Sequence, residues 1–259
     1  MMKVLVTVAE VGTVEEDFEI DGTAIDERYL EYDLNEWDDY AVEEAVQLAE
    51  EGMADEVVTV TVGPERSEET IRMALAKGAD RAIRVWDDSL DGLLDVGVKT
   101  EILRAVVAEE TPDLILTGVQ TGDAMFGATG VSLAAAIDYP WAAVVNDLEL
   151  DDDLAHVHRE LEGGVEELTD VETPAVLTIQ TGINEPRYAS LRGIRQAQSK
   201  EIAVEDLASL GLDGIESDLR LTRMYEPEVE STATVFEGSA EDTAVQLAGV
   251  LREKGVGAQ

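Results

Sequence analysis

The sequence predicts an α/β fold: a doubly wound, mostly parallel sheet with helices on both faces, an appended antiparallel meander and an extended C-terminal arm. Three observations predict it. Short β-branched runs alternate with amphipathic helical stretches from the start; after Pro140 three strand-like segments follow one another with only turns between them; and beyond about residue 200 apolar periodicity fades into an acidic tail. Two parts follow, a main domain over 1–200 and an arm over 201–259.

Residues 4–8 (Val4-Leu5-Val6-Thr7-Val8) read as the first strand, and an acidic connector runs from there to about Asp33. Ala41, Val42, Ala45, Val46, Leu48 and Ala49 repeat at helical spacing and predict a helix. Residues 56–62 are the second strand, closed by Gly63-Pro64. Ser67-Glu68-Glu69-Thr70 suits a helix N-terminus, and Gly78 stops that helix. Residues 81–85 and 113–117 are strands around a helix near 98–107, and a glycine-punctuated turn leads into a helix over 131–137. Residues 141–150, 155–161 and 165–170 form the meander, with turns at Asp151-Asp152-Asp153 and Gly163-Gly164. Residues 174–180 are one more apolar strand. The polar, Arg-containing stretch to Lys200 follows, and the tail carries one helix, over 240–253. That tail has too little apolar periodicity for a core of its own, so it must lie against the main domain or a partner.

Charge narrows the function. Asp and Glu number 58 against 18 Lys and Arg, a formal net charge of −40, while 45% of the 259 residues are hydrophobic. Disorder requires low hydrophobicity as well as high charge, so the chain folds. Phosphate backbones and anionic membranes need clustered cations, and the lysines are only Lys3, Lys77, Lys99, Lys200 and Lys254; neither nucleic acid nor a membrane surface is expected as a partner. A surface this acidic repels itself unless salt screens it, which points to a salty, halophilic cytoplasm. There is no Cys, hence no disulfide, thiol nucleophile or Cys-ligated cluster. His156 and His158 share one strand face but lack a third ligand, so no metal site is expected. The N-terminus enters a strand pattern at once, and no apolar run nears the roughly 20 residues of a membrane span. A cytoplasmic location without membrane insertion is expected.

The segment Gly118-Val119-Gln120-Thr121-Gly122-Asp123-Ala124-Met125-Phe126-Gly127-Ala128-Thr129-Gly130 follows a strand and precedes a helix. Its amides then sit at a sheet's carboxyl edge and a helix N-terminus, where phosphate is attracted. It lacks the Gly-Lys-Ser/Thr ending of a Walker loop and the spacing of a dinucleotide fingerprint. Asn35-Glu36-Trp37-Asp38 precedes the first helix: Asn35 suits an adenine edge or a ribose, and Trp37 could pack on it, although a plain helix entry reads the same way. With Val62-Gly63-Pro64, three strand ends converge on one crevice, which favours an adenine nucleotide.

The run Val157-His158-Arg159-Glu160-Leu161-Glu162-Gly163-Gly164-Val165-Glu166-Glu167-Leu168, followed by Thr173-Pro174-Ala175-Val176-Leu177-Thr178 and Gly182-Ile183-Asn184-Glu185-Pro186-Arg187-Tyr188-Ala189-Ser190-Leu191, resembles the electron transfer flavoprotein β subunit. Residues 35–45, 63–81 and the Gly118 turn match in the family's order, and the resemblance covers roughly 3–200. It implies a non-enzymatic electron carrier, a heterodimer with an α subunit that holds most of the FAD. It further implies an adenine nucleotide, AMP or a second FAD, bound by Thr7, Asn35, Glu36, Trp37, Asp38, Val62 and residues 118–129. The segment 180–198 aligns with the loop that recognises dehydrogenases, with Leu191 as anchor and Arg187, Arg192 and Arg195 around it. Acyl-CoA or other dehydrogenases are the implied donors, and a membrane quinone oxidoreductase an implied acceptor; the arm is implied to pack on the α subunit. Gly127-Ala128, Glu36 and Ala9-Glu10 depart from the usual pattern, leaving AMP and FAD both open. Two rival classes share the architecture. A nucleotide hydrolase or adenylating enzyme would have only Asp123 and Asp38 as candidate metal carboxylates, and a nucleotide-sensing module would not use the meander or the Asn184–Tyr188 loop.

Overall fold

The computed structural model describes residues 2–15, 17–90, 92–151, 153–212, 214–227 and 233–256. In chain order the elements are β1 (Lys3–Thr7), β2 (Glu10–Val14), β3 (Ile20–Asp21), β4 (Ala24–Ile25), β5 (Leu30–Leu34), α1 (Glu36–Glu50), β6 (Glu56–Val62), α2 (Glu68–Lys77), β7 (Arg81–Val85), α3 (Val96–Glu110), β8 (Leu114–Gly118), α4 (Thr129–Ile137), β9 (Trp141–Asp151), β10 (Leu154–Leu161), β11 (Val165–Glu172), β12 (Ala175–Ile179), α5 (Leu191–Ala197), β13 (Ile202–Glu205) and α6 (Ala240–Glu253).

Nine strands form one sheet in the order β11-β10-β9-β12-β8-β1-β6-β7-β13. From β9 through β13 every pairing is parallel, while β10 pairs antiparallel with both β9 and β11, which is the expected meander. The central strands are apolar throughout because helices cover both faces. Val4 and Val6 of β1 face α1 and α2 through Ala41, Val42, Ala45, Ile71 and Leu75. Leu5, between them, faces α3 and α4 through Ile102, Val106 and Leu133. This alternation along one strand separates the two cores.

Winding starts at β1, proceeds through β6 and β7 on one side, then returns to place β8 on the other. The reversal opens a crevice at the carboxyl ends of β1 and β8, the usual ligand position in open α/β sheets.

The structure departs from expectation in three places. The acidic connector contains paired strands, β2 with β5 and β3 with β4. In β5, Leu30, Tyr32 and Leu34 are half-buried while Glu31 and Asp33 are exposed, so the period of two is present, its outward positions filled by acids. Ser67 does not cap α2; its hydroxyl donates to Glu10 Oε1 at 3.2 Å, because a 3₁₀ turn over Glu65–Ser67 already leads into the helix. Finally, β13 extends the parallel sheet beyond residue 200, pairing with β7. The chain divides into compact units Met1–Arg223 and Met224–Gln259. The second contains α6, capped by Ser239 and Asp242, none of whose residues is buried. Asp152, within the expected first meander turn, lies outside the described residues.

Candidate functional site

A solvent-open cleft with an inner volume of about 90 Å³ occupies the crevice. β1 contributes Thr7, β6 contributes Val60 and Val62, and β8 contributes Thr117 and Gly118; Val8 and Ala9 continue the floor beyond β1. Val119, Gln120, Thr121, Ala124, Phe126, Gly127, Ala128 and Thr129 of the following loop line it as well, together with Lys99 and Leu103 of α3.

The N-terminus of α1 holds the two strand ends together. Asp38 is buried, and its carboxylate accepts from the amide of Ala9 at 2.8 Å and from that of Gly118 at 2.9 Å. Burial nevertheless dominates these bonds and pushes the carboxyl up to about 6. Gly118 has no room for a side chain, since a Cβ would stand 2.5 Å from Asp38 Oδ1 and 2.7 Å from Trp37 Cβ. Asn35 is fully buried beneath the loop. Its Nδ2 donates to the Gln120 carbonyl at 2.9 Å, and its Oδ1 accepts from the Gly122 amide at 3.2 Å.

Donors converge where the loop enters α4. The first bond of that helix runs from Ser132 N to the Ala128 carbonyl, so the amides of residues 129–131 have no acceptor within the helix. No side chain caps them. Such a terminus favours an anion.

A second feature lies on the α1–α2 side. The segment after β12 is clamped twice. Arg187 donates through Nε and Nη2 to buried Glu43, at 2.8 and 3.0 Å, and through Nη1 and Nη2 to Glu50, at 2.6 and 2.9 Å. These bonds hold the Glu43 carboxyl below its ordinary range against the opposing effect of burial. Asn184 Nδ2 donates to the Tyr40 carbonyl and to Glu44 Oε2. Farther on, Arg72 of α2 donates to the carbonyls of Ala197 and Lys200 at 2.7 Å each, while Lys200 donates to the Leu75 and Ala79 carbonyls at the end of α2. The carboxyl end of α5 is thus satisfied from α2, and that of α2 from Lys200 just beyond α5. Gly193 lets the two helices touch, because a Cβ there would collide with the Ala76 carbonyl. On this braced support Leu191 is 79% and Tyr188 98% exposed.

An "Electron transfer flavoprotein domain" family profile matches residues 22–210. The chain is 47% identical to the electron transfer flavoprotein subunit beta of Methylophilus methylotrophus, over 97% of this chain and 98% of the relative. The chain belongs to the electron transfer flavoprotein β-subunit family. Eukaryotic members are also similar: the mitochondrial subunit of Oryza sativa subsp. japonica is 36% identical over 91% of this chain and 93% of its own, and the Bos taurus subunit 36% over 84% and 85%. Family membership carries a role in flavoprotein electron transfer.

The geometry sorts the residues that the family resemblance singled out. Thr7, Asp38, Val62, Gly118, Val119, Gln120, Thr121, Ala124, Phe126, Gly127, Ala128 and Thr129 share the cleft. Asn35 and Gly122 bond to each other at 3.2 Å rather than lining it. Glu36, Asp123 and Met125 are exposed outside it, and Trp37 turns away to donate its Nε1 to Gln180 Oε1 at 3.0 Å. Arg187 is spent on Glu43 and Glu50 instead of facing outward. Arg192 and Arg195 are exposed, and among the described residues neither guanidinium has a hydrogen-bond or ion-pair partner. Sequence reasoning missed Lys99 and Leu103, whose place in the cleft depends on strand order, and Val8, Ala9, Val60 and Thr117, which flank residues it did name. Among the described residues no cluster could hold a metal ion; His156 pairs with Asp170 at 2.7 Å, across the β10–β11 ladder. No described helix is long and apolar enough to cross a membrane.

Proposed function

We propose that this chain is the β subunit of a heterodimeric electron transfer flavoprotein, a carrier that makes no product itself. Its cleft binds an adenine nucleotide, AMP or a second FAD; an α subunit holds most of the FAD; and the segment 180–198 docks acyl-CoA or other dehydrogenases, with a membrane quinone oxidoreductase as acceptor. The observation that carries the reading is the cleft at the β1–β8 switch point, walled by an amide-rich loop that ends in an uncapped helix N-terminus. Its donor set fits a nucleotide phosphate. Thr7, the loop backbone and α4 would hold the ligand, Asn35 would hold the loop, and Asp38 would hold the two strand ends. A flavin bound with the partner supplies the redox chemistry; this chain's residues bind, orient and dock.

Support for the docking role comes from Leu191, an exposed apolar side chain on a braced helix between exposed Arg192 and Ser190. Support for the α-subunit role comes from the arm of about residues 201–259, whose helix α6 buries none of Val245, Leu247 or Leu251. Expressed alone, the chain should be colourless or weakly coloured, and co-expression with its α subunit should bring full flavin content. Stoichiometric FAD on the isolated chain would count against AMP as the ligand of the cleft, and stable activity with no partner would refute the carrier reading.

A further inference from the structure

We infer that Lys99 supplies the positive charge that selects a phosphorylated ligand in the β1–β8 cleft over its unphosphorylated counterpart. This rests on the nucleotide reading above and adds a residue and a source of specificity to it.

The observation begins with how the other lysines are used. Lys3 pairs with Glu110 at 3.0 Å and with Glu56 at 3.8 Å, Lys77 with Asp39, and Lys200 donates to two carbonyls at the end of α2. Lys254 lies in the other compact unit. Lys99 is half-buried on the cleft wall, and among the described residues its ammonium has neither a hydrogen-bond nor an ion-pair partner. In a chain with 58 acidic residues, an unpaired ammonium is unexpected.

Its place in the helix deepens the anomaly. Lys99 stands in the first turn of α3, just after the N-cap Asp95, where the helix presents partial positive charge. A cation there is disfavoured by the macrodipole, which the N-cap Asp95 carboxylate, accepting from the Val98 amide at 2.8 Å, offsets only in part. Asp38 is the carboxylate that shares the cleft, but both its oxygens are taken by the Ala9 and Gly118 amides. Lys99 acts on it only as the weakest of the influences on its carboxyl. A structural role as a salt-bridge partner is therefore unsupported.

A ligand supplies what is missing. Thr129, whose amide has no acceptor within α4, and Lys99 line the same cleft, so a phosphate there could accept from both, the amide fixing position and the ammonium matching charge. Half-burial shields that pairing from salt better than a surface site would.

The test compares wild type, Lys99→Gln and Lys99→Arg, each the full chain purified with its α subunit and stripped of nucleotide. AMP and adenosine serve as calorimetric probes; AMP is also a substructure of FAD, so the choice does not depend on which nucleotide is native. Lys99→Gln should weaken AMP about tenfold or more, the loss of one charge-assisted contact, with adenosine affinity unchanged and Lys99→Arg recovering most of the difference. Equal AMP affinity in Lys99→Gln and wild type would overturn the inference. Equal losses for AMP and adenosine would also overturn it, by making Lys99 a support of the cleft walls. Wild-type protein that binds neither probe would instead refute the nucleotide reading itself, and the inference with it.

Discussion

Asp38 shows how a single side chain can be made to hold a site rather than act in it. Its carboxylate joins the end of β1 to the end of β8, yet burial raises its titration to about 6. A raised carboxyl favours the folded state while protonated. Its contribution is therefore fully present below the ordinary value of 3.8 and is lost as pH rises through about 6. Carbon-13 spectra of the labelled side chain should show Asp38 titrating near 6; a midpoint at or below 4 would sink this account of the cleft floor. Asn35 teaches the complementary lesson. Its presence at a strand-to-helix junction was legible, and its amide was expected to meet a ligand, but both ends of that amide are committed to the loop. Residue type announced a polar role; only the fold decides what it touches. Lys99 was invisible as a site residue for a similar reason, since nothing local to α3 says that the chain will return to set β8 beside β1.

At the scale of elements, the large sheet was legible because its strands are buried on both faces and read as unbroken Val, Ile and Leu runs. The β2–β5 pair was not, since acids occupy the outward positions of β5 and the segment reads as a charged linker. The segment 180–198 was read as a polar, Arg-containing loop, and its arginines were expected to act alike. The structure divides them. Arg187 is half-buried and committed to Glu43 and Glu50, so it positions the segment, while Arg192 and Arg195 are exposed beside Leu191. Two variants should separate these roles. Leu191→Ala removes apolar contact worth roughly 1.5–3 kcal/mol if fully buried on docking. It should slow reduction by the dehydrogenase about tenfold or more, while reduction by dithionite and nucleotide content stay unchanged. Arg187→Ala should slow the same reaction and also raise hydrogen exchange over residues 184–197, because it releases the clamp. Stopped-flow reduction at the wild-type rate in Leu191→Ala would make that residue merely an exposed leucine.

The whole molecule carries a formal charge of −40 around two apolar layers. Self-repulsion of that magnitude is relieved when the Debye length falls to about 3 Å near 1 M salt. The thermal midpoint should accordingly rise between dilute buffer and about 2 M KCl; a midpoint indifferent to salt would contradict the salt-adapted reading. The proposed function at this scale depends on two features of one domain, the cleft at the sheet's switch point and a braced, exposed Leu191 on the α2 side. The cleft is central, because the loop, Asp38, Asn35 and the α4 terminus are all arranged around it. Its claim is tested most directly by releasing bound ligand from the purified heterodimer and identifying it by mass. The account predicts one AMP per β chain, or one FAD beyond that held with the α subunit, and the recovery of neither would contradict it.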